Sequence, residues 1–148
     1  LKHPKIKSVG WLLTQAARLH RPYLNEQLAN HRLYAGQEQV LRALATADAL
    51  TVGELAQILR VRAPTVSKSL NRLSAAGLIK RDDRAGDLGI VTVRLTSRGQ
   101  ALAASVNASC DQVEEGLLKR FTDKERRHLR KLLYRMSNNL KDQVHHPE

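Results

Sequence analysis

Arg60, Arg62, Lys68, Arg72, Lys80 and Arg81 fall within 22 residues that hold no Asp or Glu. Such a run suits a surface that meets phosphates, because any carboxylate placed there would repel a nucleic-acid backbone. By charge alone, one solvated helix face is an equal reading. The rest of the charge is uneven. The 148-residue chain has a formal net charge of +11, divided as +5 over residues 1–32, −2 over 33–59, +6 over 60–81, −3 over 82–118 and +5 over 119–148.

Other chemistries lack their residues. G-x-S-x-G, G-x-x-x-x-G-K-[ST] and G-x-G-x-x-G do not occur, so no enzyme is expected. His3, His20, His31, His128, His145 and His146 form no i,i+4 pair, and Cys110 is the sole cysteine, so neither a metal nor a cofactor is expected. Aromatics at 3% argue against a base-stacking platform for single strands. No apolar run approaches the roughly 18 residues of a membrane span, and the start has no signal-peptide core. A soluble, cytoplasmic protein with no membrane partner is the expectation.

The elements that must position the cations follow from periodicity. Val9, Leu12, Leu13, Ala16, Leu19, Tyr23 and Leu28 step by threes and fours, predicting a long first helix. A second helix is expected from about Gly36 to Ala45. Thr51 with Glu54 forms a capping box that opens a third. The fourth begins near Pro64, tolerated in a first turn, and ends near Gly77. At 100° per residue, Val66, Leu70 and Leu73 form its buried stripe, leaving Pro64, Lys68, Asn71 and Ala75 outward with Thr65, Ser67 and Arg72 on the flanks.

Leu78–Asp82 and Ile90–Leu95 read as a hairpin whose connection runs from Asp83 to Gly89. Ser97 with Gln100 is expected to cap a fifth helix, and Thr122 with Glu125 a sixth. The expected order is therefore α-α-α-α-β-β-α-α. Two short helices joined by a tight turn, the second polar and cationic outside, make a helix-turn-helix, and the following hairpin makes it winged. Ala56 is small enough to let the two helices approach at their crossing.

Gln37, Glu54-Leu55-Ala56, Val66-Ser67-Lys68, Leu73, Gly77-Leu78-Ile79-Lys80-Arg81, Asp87 and Leu95-Thr96-Ser97-Arg98-Gly99 together resemble the multiple-antibiotic-resistance regulator (MarR) family of bacterial transcription factors. The resemblance implies a mostly α fold with a small β-hairpin wing. Residues 1–148 would then form one domain, with 33–99 the winged helix-turn-helix and 1–32 plus 100–148 a helical dimerisation region. It also implies a homodimer that binds inverted-repeat promoter DNA, most often as a repressor, and releases it on meeting a small aromatic or carboxylate effector. Two positions depart from the family. Arg60 stands where a glycine is common in the helix-turn-helix turn, and Gly89 stands where a wing arginine is usual, leaving Arg84 as the tip's cation.

These readings assign roles. Thr65, Ser67, Lys68 and Asn71 are expected to reach base edges, with Asn71 suited to adenine and Lys68 to guanine. Arg62, Arg72, Lys80 and Arg81 are expected to hold phosphates, and Arg84 to enter the minor groove. Trp11, His20, Arg21 and Tyr23 combine apolar area with donors and are candidates for an effector pocket; as core or interface residues they would need no ligand. Two other functions fit parts of the sequence. A sequence-tolerant architectural DNA-binding protein would use the cations but not the polar reading face, and a redox-sensing regulator would use Cys110.

Overall fold

The computed structural model describes residues 8–85, 90–141 and 143, with the side chains of 83–85 outside the described set. The chain divides into two compact units, Leu1–Val113 and Glu114–Glu148.

The first unit opens with α1, Val9–Leu28, capped by Ser8, whose Oγ accepts from Trp11 N–H at 3.2 Å. A single 3-10 turn, Ala29–His31, ends on left-handed Arg32. Next come α2 (Gln37–Ala45), β1 (Leu50–Thr51), α3 (Val52–Leu59) and α4 (Ala63–Ala75). They are followed by β2 (Ile79–Ala85), β3 (Ile90–Leu95) and α5 (Ser97–Leu117). The mostly helical winged architecture is as expected, with one strand more. β1 pairs antiparallel with β3, Leu50 opposite Val93, giving a three-stranded sheet in the order β1-β3-β2. Two residues are too few to show an alternation, and Thr51 is also the cap of α3.

One core serves this unit. Leu28 of α1, Leu41 and Leu44 of α2, Leu55 of α3, Val66, Leu70 and Leu73 of α4, Val93 of β3 and Val106 of α5 are almost fully buried. Two polar residues share it because their groups are satisfied. Gln37 Oε1 accepts from Tyr34 N–H at 2.8 Å, and Glu38 Oε2 accepts from Gly36 N–H. By contrast, of the periodic α1 positions only Leu28 is buried within this chain. Only Leu24 and Leu28 are buried there, whereas Val9, Trp11, Leu12, Leu13, Leu19 and Tyr23 are exposed.

The start of α5 also differs from expectation. Thr96, not Ser97, is the cap: its Oγ1 accepts from Gly99 N–H at 3.1 Å. β2 continues to Ala85, three residues beyond its expected end, with an irregular register between Asp82 and Ala85.

The second unit contains the end of α5 and α6, Asp123–Lys141. Its capping box forms as expected: Glu125 Oε2 accepts from Thr122 N–H at 2.8 Å and Thr122 Oγ1 from Glu125 N–H at 3.2 Å. Arg126 clasps Glu115 through both terminal nitrogens and donates to the Leu118 carbonyl. No α6 residue is buried, and Leu133, Tyr134 and Leu140 are among its exposed apolar side chains. Among the described residues no helix is long and apolar enough to cross a membrane.

Candidate nucleic-acid interface

The helix-turn-helix begins at a completed capping box. Glu54 N–H donates to Thr51 Oγ1 at 3.1 Å, and Thr51 N–H donates to Glu54 Oε2 at 2.7 Å. Leu55 anchors α3 in the core and Ala56 packs partly buried against it. In the turn out of α3, Arg60 has φ 53°, the left-handed conformation that a glycine would adopt at lower cost. Val61 N–H returns to the Ala56 carbonyl at 3.1 Å and Arg60 N–H to that of Gln57 at 3.3 Å. These two bonds are the Schellman closure of a helix end.

From Arg62, in extended conformation, the chain enters α4 with Pro64 in the first turn. Val66, Leu70 and Leu73 face inward at 0–1% exposure. Thr65, Lys68 and Asn71 are exposed and Ser67 half-buried, so the four expected base readers share the outward side of a helix pinned from behind. Arg62, Arg72, Lys80 and Arg81 are all exposed around them. The helix ends in a second Schellman closure, Leu78 N–H to Leu73 O at 3.0 Å and Gly77 N–H to Ser74 O at 2.9 Å, with Gly77 at φ 72°. This closure turns the chain directly into β2. There Arg81, opposite Val93, reaches back to α4 and donates from Nη2 to Asn71 Oδ1 at 2.6 Å. Sequence reasoning placed these two residues in separate roles. A ten-residue separation through a turn has no periodic signature that would have joined them.

The wing stem is held by Arg94 of β3, which pairs with Asp82 of β2 at 3.0 Å. Arg84 belongs to β2 by its backbone, but its side chain lies outside the described residues, as do Asp87, Leu88 and Gly89 at the tip.

The four effector candidates are not brought together. His20 and Arg21 line an open cavity of about 670 Å³ together with Glu38 of α2 and Thr65, Lys68 and Arg72 of α4. Trp11 lines a separate cavity of about 450 Å³ beside Arg18, and Tyr23 lines neither. Trp11 and Tyr23 are twelve residues apart on one helix, about 18 Å along its axis. A further cavity of about 910 Å³, which sequence reasoning missed, holds Arg32, Arg72, Arg98 and His31 without a carboxylate in its lining. Its residues come from three stretches, 30–37, 72–78 and 98–105, so no local pattern announces it.

Cys110 is buried on α5, and burial pushes its thiol above the ordinary range, against a smaller downward pull from Arg42. No group of His, Cys, Asp and Glu among the described residues is placed to hold a metal.

Comparison with known proteins agrees with this architecture. Residues 36–87 match the model of the MarR family. An uncharacterized HTH-type transcriptional regulator of Bacillus subtilis (strain 168), YwoH, is 33% identical over 117 residues, covering 77% of this chain and 82% of the relative. Further relatives are named as HTH-type transcriptional regulators or repressors. Among solved structures, a mutant MarR from E. coli complexed with operator DNA is similar at TM-score 0.81 and 26% identity, covering 92% of this chain and 98% of that one. Bordetella bronchiseptica BpsR, solved in a study of how 6-hydroxynicotinic acid regulates its DNA binding, is similar at TM-score 0.83 and 26% identity, with coverage of 89% and 94%. With a helix pair closed by Schellman turns, a polar cationic second helix and a sheet-borne wing, the chain belongs to the MarR family of HTH-type transcriptional regulators.

Proposed function

We propose that this chain is a sequence-specific repressor that binds inverted-repeat promoter DNA as a homodimer, α4 lying in the major groove. The observation that carries this reading is the composition of one surface. Thr65, Ser67, Lys68 and Asn71 offer donors and acceptors on a helix fixed by Val66, Leu70 and Leu73, and no carboxylate lies between residues 60 and 81. Polar side chains on a rigid helix read base edges, whereas Arg62, Arg72 and Lys80 around them neutralise phosphates and set the register. A purely architectural binder needs the second set only. Arg84 is assigned to the minor groove in place of the arginine that Gly89 replaces.

Residues 33–99 form the DNA-reading part, and residues 1–32 and 100–148 form the dimer. Val9, Leu12, Leu13 and Leu19 on α1 and Leu133, Tyr134 and Leu140 on α6 are exposed apolar side chains that a second copy would cover. Two-fold symmetry then sets two α4 helices about one DNA turn apart, roughly 34 Å.

The effector is a small aromatic carboxylate, and its site is the cavity of His20 and Arg21. Thr65, Lys68 and Arg72 line that cavity too, so an anion held there competes with DNA for the same cations. The regulation of BpsR's DNA binding by 6-hydroxynicotinic acid supports this class of ligand.

Selection of bound duplexes from a random pool tests the reading. An inverted repeat should emerge, and 6-hydroxynicotinic acid or salicylate should reduce its recovery. Recovery of random sequence would favour the architectural alternative.

A further inference from the structure

Asn71 and Arg81 are joined across the angle between α4 and β2, both exposed, through the 2.6 Å bond from Arg81 Nη2 to Asn71 Oδ1. A guanidinium has donors only, so this contact assigns the amide: oxygen toward β2, nitrogen away from it. Left alone, the terminal torsion of an asparagine is broad and roughly two-fold, and the two flips present opposite patterns to a base. Adenine requires one of them, with Nδ2 donating to N7 and Oδ1 accepting from the N6 amino group. Oδ1 carries two lone pairs, so it can serve Arg81 and adenine together.

Both ends of the contact are anchored. Asn71 lies between buried Leu70 and Leu73, and Arg81 sits opposite Val93 in the sheet's central strand. The Schellman closure at Gly77 joins the two elements without slack. Asp82, the carboxylate next in sequence, is paired with Arg94.

We propose that Arg81 is a positioning residue for base readout: it holds the Asn71 amide in the flip that selects adenine, instead of holding a phosphate. This deepens the reading of α4 as the base-reading helix and rests on it. It moves Arg81 out of the phosphate set and makes sequence preference depend on a residue of the wing stem.

The test uses the full chain and the duplex recovered from the random pool, titrated by fluorescence anisotropy over a salt series. Asn71→Ala first identifies the base pair that Asn71 reads. Arg81→Ala should then lower the preference for A·T at that pair by about tenfold, leave the salt slope unchanged, and add no further loss in the Asn71→Ala background. Arg81→Met, which keeps the stem without the guanidinium, should repeat this result if Arg81→Ala folds poorly. Equal weakening on selected and random DNA, with a salt slope smaller by about one per protomer, would make Arg81 a phosphate contact and overturn the proposal alone. So would a loss in the Asn71→Ala background equal to that in the wild type. A wild-type chain that selects no site overturns both this proposal and the reading beneath it.

Discussion

Thr96 Oγ1 donates to the carbonyl of Gly77 at 2.7 Å, tying the start of α5 to the left-handed residue that ends α4. The same oxygen accepts from Gly99 N–H at 3.1 Å, and Thr96 N–H bonds the Leu78 carbonyl at 3.1 Å. The motifs Gly77-Leu78-Ile79 and Leu95-Thr96-Ser97-Arg98-Gly99 are therefore two halves of one joint, closed by the pairing of Ile79 with Leu95. At Gly99 a Cβ would run into the Leu78 carbonyl. Gly99→Ala should cost about 2 to 3 kcal/mol by forcing that backbone apart. Thr96→Ala, which removes a cap and the half-buried partner of the Gly77 carbonyl, should cost about 1 to 2 kcal/mol. Urea unfolding of both variants checks this, and a wild-type midpoint for Gly99→Ala would contradict the joint.

What was legible in the residues follows from the range of each signal. The helices and two capping boxes rest on contacts three or four residues apart, and Thr51-Glu54 and Thr122-Glu125 formed as read. The expected box at Ser97 failed because Thr96, one residue earlier, is held by Gly77 nineteen positions away. The buried stripe of α4 was equally local and correct. The α1 stripe was visible, but periodicity does not say whether the same chain covers it. The contact between Asn71 and Arg81 and the cavity of Arg32, Arg72 and Arg98 depend on chain reversals, so residue spacing carries no trace of them.

Arg60 holds φ 53° in the turn between α3 and α4, where a side chain costs more than a glycine hydrogen. Arg60→Gly should therefore raise stability by about 0.5 to 1 kcal/mol, seen as a higher melting temperature. It also removes one of six cations from the interface, so DNA affinity at low salt should fall. An unchanged or lower melting temperature would show that the arginine side chain compensates its backbone.

Lys68 and Arg72 separate reading from holding. Lys68 is near the centre of the outward face, and Arg72 is on its flank, close to Arg98's cavity. Lys68→Ala should cost about 1 to 3 kcal/mol on the selected duplex and relax preference at one base pair, whereas Arg72→Ala should weaken all sequences alike and reduce the salt slope. Competition binding against random DNA distinguishes them. Equal losses for Lys68→Ala on both duplexes would remove it from the reading set.

Leu12 and Leu19 are 53% and 76% exposed on α1, a large apolar cost unless a second copy covers them. Leu12→Glu or Leu19→Glu should leave a folded chain that light scattering finds as a monomer at micromolar concentration, with affinity for the inverted repeat reduced to that of a half-site. A wild-type monomer at the same concentration would contradict the dimer.

Cys110 tests the oxidant-sensing alternative, and the direction of its shift makes a definite prediction. Reactive thiols are exposed and lowered in pKa, because the thiolate is the nucleophile. Cys110 is buried, and burial outweighs the pull of Arg42 to raise its pKa. Its thiolate fraction at neutral pH is thus smaller than that of an unfolded chain, and Ellman's reagent should react slowly until urea exposes it. The folded state holds this proton more tightly, so the linked stability is present below the ordinary thiol range and declines as pH rises through the raised value. Peroxide at neutral pH should leave DNA binding unchanged in the wild type, as in Cys110→Ala. Loss of binding in the wild type alone would establish Cys110 as a sensor.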